Sequence, residues 1–256
     1  MDSALLEVKQ LTKRFGGIVA VDGVSFKVRK GEIVAVIGPN GAGKTTLFNM
    51  ISSILEPSEG EVWFKGEKLT GTQVHRLTAK GITRTFQNLQ IFESMTVLEN
   101  VMLGTHTKLK TTIFNAGFRL PVVKEDDETA ASLALQALES VGLQDKQAEI
   151  AGNLPYGLRK LLELARAIVL KADLILLDEP MAGLNDGESH RLASFLLEMK
   201  NKGHSFLFVE HDMAAVMKIA DRIVVIDFGV KIAEGSPEQI RNHPKVIDAY
   251  LGKELE

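Results

Sequence analysis

The chain contains no cysteine among its 256 residues, which excludes disulfide bridges, thiolate metal sites and cysteine nucleophiles. Aromatic residues are also few, at 6%, with a single tryptophan. A basic excess is lacking too, because 30 lysine and arginine residues are set against 33 aspartate and glutamate residues. Nucleic-acid-binding domains usually carry a basic surplus, so this balance argues against a dedicated nucleic-acid binder.

Long hydrophobic runs are likewise missing from the sequence. The longest, such as IVAVIG and LILL, have the length of β-strands and fall far short of the ~20 apolar residues of a membrane-spanning helix. The first ten residues, MDSALLEVKQ, have neither a basic start nor a long apolar core, so we expect no signal peptide. Any role at a membrane is therefore expected through a partner, without direct membrane insertion of this chain.

Strand and helix patterns alternate along most of the chain. Apolar and polar residues alternate after a Gly16-Gly17 turn, and GEIVAVIG predicts a strand buried on both faces. The last third runs DLILLDE, helix, SFLFVEH, helix, RIVVID, which predicts a parallel α/β core. Helical periodicity dominates the middle, with a loop-like interruption at 105–121, and predicts a helical subdomain at about 88–165 inserted in one domain of residues 1–256.

GPNGAGKT, residues 38–45, has the phosphate-loop pattern G-x-x-x-x-G-K-[ST] and lies between a buried strand and a helix. Its glycines allow consecutive backbone N–H groups to converge on phosphate oxygens. Lys44 is placed to reach the β- and γ-phosphates, the Thr45 hydroxyl to bind Mg²⁺, and Thr46 to touch the α-phosphate. The predicted nucleotide-binding residues here are Gly38, Pro39, Asn40, Gly41, Ala42, Gly43, Lys44, Thr45 and Thr46.

Acidic and histidine side chains end two later strands. In LILLDEP, residues 174–180, Asp178 and Glu179 follow an apolar run, and SFLFVEH ends in His211. Because the carboxyl ends of parallel strands meet at one edge of a sheet, we expect these groups to face the phosphate loop. Asp178 is predicted to hold Mg²⁺, Glu179 to activate the attacking water, and His211 to position that water and contact the γ-phosphate. Gln87, in a turn before the helical region, is predicted to reach Mg²⁺ or water.

NLPYGLRK, residues 153–160, opens a helix with one apolar stripe, and it has two interpretations. Pro155 suits the first helical position, which makes this an ordinary helix start. The N–H groups of Tyr156 and Gly157 would then point out of the helix, where the dipole favours an anion such as phosphate.

The ordered set of these motifs resembles the ATP-binding cassette (ABC) ATPases over nearly the whole chain. The resemblance implies a P-loop NTPase core, an N-terminal antiparallel β subdomain and an inserted α-helical subdomain. It also implies ATP and Mg²⁺ as cofactors, with two ATP molecules sandwiched between two cassettes. Phe15 takes the position of the ring that stacks on adenine, with Val21 beside it. LPYGL, at 154–158, takes the position of the LSGGQ signature, which contacts the γ-phosphate of the nucleotide on the opposite cassette.

Longer stretches resemble the ATPase subunits of branched-chain amino acid importers, among them RFGGIVAVDGVSF, DEPMAGLN and KIAEGSPEQIRNHPKVIDAYLG. This resemblance implies a peripheral ATPase on the cytoplasmic face of the inner membrane, with permease subunits, a solute-binding protein and a second cassette as partners. Gln87 and NLQIFESM are expected to contact a permease. Because Pro155 takes the place of the signature serine and Leu158 that of its glutamine, we expect a heterodimer with unequal sites. AGLN, at 182–185, takes the place of the usual SALD, and this departure bears on the hydrolysis geometry across the dimer.

Three other interpretations are open at the level of sequence. A lipopolysaccharide-export ATPase has a similar length and tail but is expected to keep a regular LSGGE-type signature. Relatives in DNA repair carry long coiled coils, and those in translation carry two fused cassettes, neither of which this chain shows. A nucleotide-binding scaffold without hydrolysis would not require both Glu179 and His211.

Overall fold

A computed structural model describes residues 4–85, 91–105 and 121–251 of the chain. It divides into two compact units, one formed by Met1–Arg84 with Asp173–Glu256 and the other by Thr85–Ala172. The helical subdomain expected at about 88–165 falls inside the second unit.

The strands all belong to the first unit within the described ranges: β1 Ala4–Phe15, β2 Ile18–Arg29, β3 Ile33–Ile37, β4 Glu59–Phe64, β5 Glu67–Lys68, β6 Ile82–Arg84, β7 Leu174–Asp178, β8 Ser205–Val209, β9 Arg222–Asp227 and β10 Val230–Gly235. The helices are α1 Lys44–Ile51, α2 His75–Lys80, α3 Val97–Gly104, α4 Pro121–Ser140, α5 Tyr156–Val169, α6 Asp186–Asn201, α7 Met213–Ile219, α8 Pro237–Arg241 and α9 Pro244–Leu251. Helices α3, α4 and α5 lie in the second unit.

Two sheets organise the first unit. An antiparallel sheet has the order β2-β1-β4-β5, and a larger sheet has the order β10-β9-β3-β8-β7-β6. From β9 to β6 all neighbours in the larger sheet are parallel, while β10 pairs antiparallel with β9. The residues of β3, β7 and β8 are all buried, as expected for parallel strands covered on both faces. These sheets confirm the predicted fold class.

The register of the parallel sheet aligns the strand ends that carry the predicted site. Val36 of β3 pairs with Val209 of β8, and Val209 pairs with Asp178 of β7. One residue beyond Asp178 lies Glu179, and two beyond Val209 lies His211. The phosphate loop, the acidic pair and the histidine therefore leave the sheet at one edge, as the sequence predicted.

The second unit is helical within its described ranges. A capping box between Thr96 and Glu99 begins α3, because each residue's side chain accepts from the other's backbone N–H. Of the stripe expected on α5, Leu162, Ala165, Ile168 and Val169 are buried, and Leu158 and Leu161 are half-buried. Most of the loop expected at 105–121 lies outside the described residues. No helix in the described ranges is long and apolar enough to span a bilayer.

Candidate active site

Close backbone contacts explain the glycines of the phosphate loop. A Cβ atom on Gly38 would lie 2.0 Å from the Ile226 carbonyl oxygen, and one on Gly43 would lie 2.4 Å from that of Ala20. Gly43 is also the N-cap of α1 and has a left-handed backbone with φ of 97°. Glycine alone fits these two positions, because any side chain would collide with main-chain atoms.

Lys44, the first residue of α1, lies inside the curve of the phosphate loop. Its side chain is buried, at 8% exposure, and the ammonium donates to the carbonyls of Gly38 at 2.7 Å and Pro39 at 3.0 Å. A buried positive charge at a helix N-terminus attracts an anion strongly. The Thr45 side chain is exposed and Thr46 is half-buried, so the hydroxyl expected to bind metal reaches the surface.

The turn between β9 and β10 supports the loop from the side of β2. The Gly229 N–H donates to the Ala42 carbonyl at 3.0 Å, and the Gly229 carbonyl accepts from the Asp22 N–H at 2.9 Å. Val21 is fully buried, and its Cγ2 would lie 3.3 Å from a Cβ on Gly43, so its side chain packs beneath the loop. The backbone of the loop therefore contacts β2 and the turn between β9 and β10.

Phe15, predicted to stack on adenine, ends β1 at the hairpin turn. Its side chain is 49% exposed, and the Lys13 ammonium lies 5.4 Å from the ring centroid. An exposed aromatic ring is available for stacking on a flat ligand.

Asp178, the predicted metal ligand, forms a buried ion pair with Arg84 at the end of β6. Arg84 Nη2 donates to Asp178 Oδ2 at 2.7 Å, and the two side chains are 9% and 7% exposed. The same guanidinium donates to Asn49 and Ser52 and lies 4.8 Å from the centroid of the Phe48 ring. The sequence suggested no role for Arg84, which the pairing of β6 with β7 brings to Asp178.

The oxygen donors at this sheet edge suit Mg²⁺. The described residues contain no cluster of three histidine, cysteine or acidic side chains that could hold a metal alone. Mg²⁺ typically takes one or two carboxylates and completes its shell with water and substrate phosphates. Asp178 and the exposed Thr45 hydroxyl supply hard oxygen atoms of that kind. Gln87 lies outside the described residues, and its role stays a prediction.

Glu179 and His211, the two predicted catalytic groups, lie together beyond the strand ends. His211 Nδ1 is 3.9 Å from Glu179 Oε2, and the side chains are 57% and 24% exposed. Glu179 has a left-handed backbone with φ of 48°, and its N–H donates to the Val209 carbonyl at 3.0 Å. This conformation costs a non-glycine residue roughly 1–3 kcal/mol and persists where surrounding contacts fix it, often at active sites.

Glu210 is a functional candidate that the sequence did not mark. It lies between Val209 and His211, is fully buried, and accepts hydrogen bonds from the backbone of two segments. The available signal was a charged residue directly after four apolar strand positions.

The predicted phosphate-facing helix start lies in the second unit, and one detail of its prediction is wrong. Pro155 is the N-cap and not the first helical residue, with φ of −53° and ψ of 152°, so α5 begins at Tyr156. The Pro155 carbonyl already accepts from Leu158 and Arg159, because an N-cap residue contributes the first helical acceptor. Tyr156 is 44% exposed, whereas Gly157 is buried.

Arg159 holds the segment that precedes this helix. It donates to the carbonyls of Leu154 at 2.7 Å and Gly152 at 2.8 Å, and it pairs with Glu93 at 3.3 Å. The shape of the helix start therefore depends on a side chain within the helix. Arg159 lies within NLPYGLRK, but the sequence suggested no role for it.

The loop AGLN, which departs from the family pattern SALD, keeps a helix-capping role. The Asn185 side chain accepts from the Glu188 N–H at 3.0 Å, and Glu188 accepts from the Asn185 N–H at 3.0 Å. Asparagine and aspartate are equally good N-caps, so this substitution preserves the start of α6. Asp186 lies one position later, in the first helical turn.

Comparison with known proteins gives the family. Residues 21–182 match the family described as ABC transporter, and residues 230–256 match the family described as branched-chain amino acid ATP-binding cassette transporter. The high-affinity branched-chain amino acid transport ATP-binding proteins BraF of Pseudomonas aeruginosa and LivG of Escherichia coli K12 are each 41% identical over 254 residues, or 99% of this chain and 100% of each relative.

Solved structures agree with the sequence relatives. An ATP-binding cassette of an ABC transporter in its ADP conformation has a TM-score of 0.85 and 35% identity, covering 98% of this chain and 99% of that one. A nucleotide-free cassette has a TM-score of 0.83 and 36% identity, covering 97% of this chain and 99% of that one. With the phosphate loop, the acidic strand end and His211 at one sheet edge, these matches show that the chain belongs to the ABC transporter family, as an ATP-binding cassette.

Proposed function

We propose that this chain is the ATP-hydrolysing subunit of a branched-chain amino acid importer, peripheral on the cytoplasmic face of the cell membrane. One observation carries the proposal. The phosphate loop, Glu179 and His211 meet at one sheet edge in a chain 41% identical over its length to BraF and LivG. Those relatives are branched-chain amino acid transport ATP-binding proteins, and the C-terminal match at 230–256 supports the same solute class.

ATP is held mainly through its phosphates. The N–H groups of the phosphate loop, residues 38–45, surround the β-phosphate, and the Lys44 ammonium contacts the β- and γ-oxygens. Lys44 then exchanges its bonds to the Gly38 and Pro39 carbonyls for phosphate oxygens. Phe15 stacks on adenine from the hairpin turn. Val21 supports this side of the site from beneath Gly43.

Mg²⁺ would be held by residues from separate parts of the chain. Thr45 and Asp178 would hold Mg²⁺, Asp178 through water, and Gln87 would complete the set. When bound, Mg²⁺ neutralises negative charge on the β- and γ-phosphates. Arg84 keeps the Asp178 carboxylate at the strand end, because its guanidinium bonds one of the two carboxylate oxygens.

Hydrolysis transfers the γ-phosphoryl group to water. Glu179 accepts a proton as the water oxygen forms a bond to the γ-phosphorus, and the bond from that phosphorus to the bridging oxygen breaks. ADP leaves with the bridging oxygen, and the new phosphate carries the water oxygen. His211 donates a hydrogen bond to the γ-phosphate and positions the water. Its ring lies 3.9 Å from the Glu179 carboxylate, so both groups can contact the same water.

A second cassette completes each nucleotide site. The start of α5 offers the positive end of a helix to the γ-phosphate of the opposite cassette. Pro155 has neither a hydroxyl nor an N–H to offer, so the contact relies on the backbone of Tyr156 and Gly157. Pairing with a different cassette that has a regular signature would leave one strong site and one weak site. We therefore favour a heterodimer.

The segment around Phe92 is the proposed contact with a membrane permease. Phe92 is 48% exposed, and the Arg166 guanidinium lies 5.4 Å from its ring centroid. Asn100 is fully buried, accepts from the Phe92 N–H at 2.8 Å and donates to its carbonyl at 3.0 Å. An exposed apolar ring on a backbone fixed from both sides is suited to a protein contact. Ile91 and Met95, predicted to share this contact, are half-buried.

The proposed function is tested by purifying the chain with its native membrane partners and reconstituting the complex in vesicles. We expect permease subunits and a second cassette in the complex, and uptake of leucine, isoleucine and valine that requires ATP on the cassette side. Vesicles assembled with Lys44→Ala serve as the control with weakened nucleotide binding. ATP-driven export, or uptake of other solutes without branched-chain amino acids, would contradict the proposal.

A further inference from the structure

Glu210 is a fully buried carboxylate that joins two backbone segments at the active edge, the sheet edge that carries the phosphate loop, Glu179 and His211. Oε1 accepts from the Met181 N–H at 2.8 Å, and Oε2 accepts from the His211 N–H at 2.9 Å. A longer bond of 3.4 Å runs from the Asp212 N–H to Oε2. Each carboxylate oxygen therefore serves a different segment, one following Glu179 and the other carrying His211.

Burial makes these bonds necessary. Taking a carboxylate out of water is costly unless hydrogen bonds or an opposite charge compensate. Among the described residues, the ion-pair neighbour of Glu210 is the His211 ring, whose Nδ1 lies 3.6 Å away. Backbone N–H donors thus supply much of the compensation, and bonds to a charged acceptor are stronger than neutral ones.

The bond to Met181 anchors the turn that follows Glu179. Met181 lies within a turn that the Ala182 N–H closes onto the Glu179 carbonyl at 3.1 Å. Glu179 enters this turn in its left-handed conformation, with φ of 48°. Because such a conformation is sparsely populated without external contacts, an anchor two residues later helps to select it.

We propose that Glu210 is a positioning residue that holds Glu179 and His211 in the arrangement needed for ATP hydrolysis. This inference rests on the proposed function, since it assigns the two positioned groups to hydrolysis. The Glu210 carboxylate is fully buried and bonds to backbone N–H groups, so we assign it no direct contact with the nucleotide. Its contribution belongs to kcat and not to nucleotide binding, which the separate phosphate loop provides.

Two substitutions at this position distinguish the charge of the carboxylate from its ability to bond both backbone segments. Glu210→Gln keeps the shape but has one acceptor oxygen, and its NH₂ group would face an N–H donor of the other segment. Glu210→Asp keeps the charge and both acceptors but is one methylene too short to reach both segments. We expect either change to release one segment, so both variants should behave alike despite their different charge.

Glu32 provides the matched control for loss of a buried carboxylate. It is 8% exposed and accepts from Arg222 at 2.9 Å and from the Arg29 N–H at 2.7 Å, at the opposite end of β3 from the phosphate loop. Glu32→Gln therefore removes comparable buried bonds away from the active edge.

The experiment measures ATP turnover, the Kd for Mg-ATP and thermal unfolding in the full-length chain. For Glu210→Gln and Glu210→Asp we expect kcat to fall about 10–100-fold with Kd within about twofold of the parent, as expected for misplaced catalytic groups. Glu32→Gln should lower the unfolding temperature at least as much and keep the parent kcat within about twofold. Parent-like kcat in both Glu210 variants, or an equal fall in kcat in Glu32→Gln, would overturn the proposal.

A Glu179→Gln sample in the same series separates this inference from the proposed function. If Glu179→Gln is inactive while the Glu210 variants turn over normally, only the positioning role is wrong. If Glu179→Gln itself turns over at the parent rate, the proposed hydrolytic assignment fails and the positioning role fails with it. Should Glu210→Gln not fold, Glu210→Asp keeps the charge and carries the test.

Discussion

Arg84 donates a 2.7 Å hydrogen bond to Asp178 across 94 residues of sequence, and both side chains are less than a tenth exposed. The pair joins the ends of the neighbouring strands β6 and β7. The pair fixes the position of the Asp178 carboxylate, which is assigned to Mg²⁺. The active edge is therefore ordered by protein charges as well as by the phosphate loop.

Replacing Arg84 tests this order. Arg84→Met leaves Asp178 as a buried charge without its guanidinium, and breaking a buried pair in this way typically costs about 3–5 kcal/mol. We expect a loss of that size in the free energy of unfolding, measured with urea. As a control, Lys65→Met breaks the exposed pair with Asp173, where side chains are 47% and 34% exposed, and should cost less than about 1 kcal/mol. Similar losses in both variants would contradict the structural role of Arg84.

Lys44 carries the second prediction. Lys44→Ala removes a charge-assisted phosphate contact that contributes about 1.5–3 kcal/mol, so the Kd for Mg-ATP should rise tenfold or more. Calorimetric titration of the full-length chain measures this change. Lys80→Ala removes a surface lysine paired with Glu67 and should leave the Kd unchanged. A parent-like Kd in Lys44→Ala would contradict the assignment of the phosphate loop.

Tyr250, near the end of α9, gives a pH-dependent prediction. Burial raises the pKa of its hydroxyl to about 12 from the usual 10.0; the Gly38 backbone opposes the rise, and the Asp227 charge adds to it. The unfolded chain then releases this proton at lower pH than the folded chain, so rising pH favours unfolding between about 10 and 12. Stability should fall more steeply over this window in the parent than in Tyr250→Phe, as measured by urea unfolding. Parallel curves would show that the hydroxyl is not buried as described.

Pro155 gives the prediction about pairing. If the heterodimer proposal is correct, the chain alone has two weak sites. Pro155→Ser should then raise its ATP turnover about tenfold, because one hydrogen bond to a charged group contributes about 1.5–3 kcal/mol. The paired complex should change less, because the partner supplies an intact signature at one site. Pro237→Ser, at the first position of α8, is the control for losing a helix-start proline. Cooperative turnover by the parent alone at the paired rate, unchanged in Pro155→Ser, would refute the asymmetry.

Local patterns were sufficient for much of the fold and site. The phosphate loop between β3 and α1 could be predicted because close backbone contacts require glycine at Gly38 and Gly43. Glycines at fixed spacing form a recognisable sequence pattern. Ser236 and Gln239 likewise form a capping box at the start of α8, in a Ser-x-x-Gln order that predicts a helix start. Apolar strand runs predicted a parallel sheet, and the strand ends at one edge of that sheet place Glu179 near His211.

Long-range pairing explains what the sequence did not reveal. β6 has only three residues, too few for a period-2 pattern, so neither the strand nor the position of Arg84 could be predicted. Glu210 bonds Met181 across 29 residues, and Arg159 pairs with Glu93 across 66 residues. In each case a single charged side chain satisfies backbone or charge partners that only the folded chain brings close.

The most direct test of the account is ATP turnover and nucleotide occupancy in Glu179→Gln. The substitution keeps the phosphate loop and Asp178, so Mg-ATP should bind with a parent-like Kd. Without a base for the attacking water, turnover should fall at least a hundredfold, and unhydrolysed ATP should be recovered from the protein. Turnover close to the parent rate, with ADP as the recovered nucleotide, would contradict the assignment of Glu179 and with it the proposed mechanism.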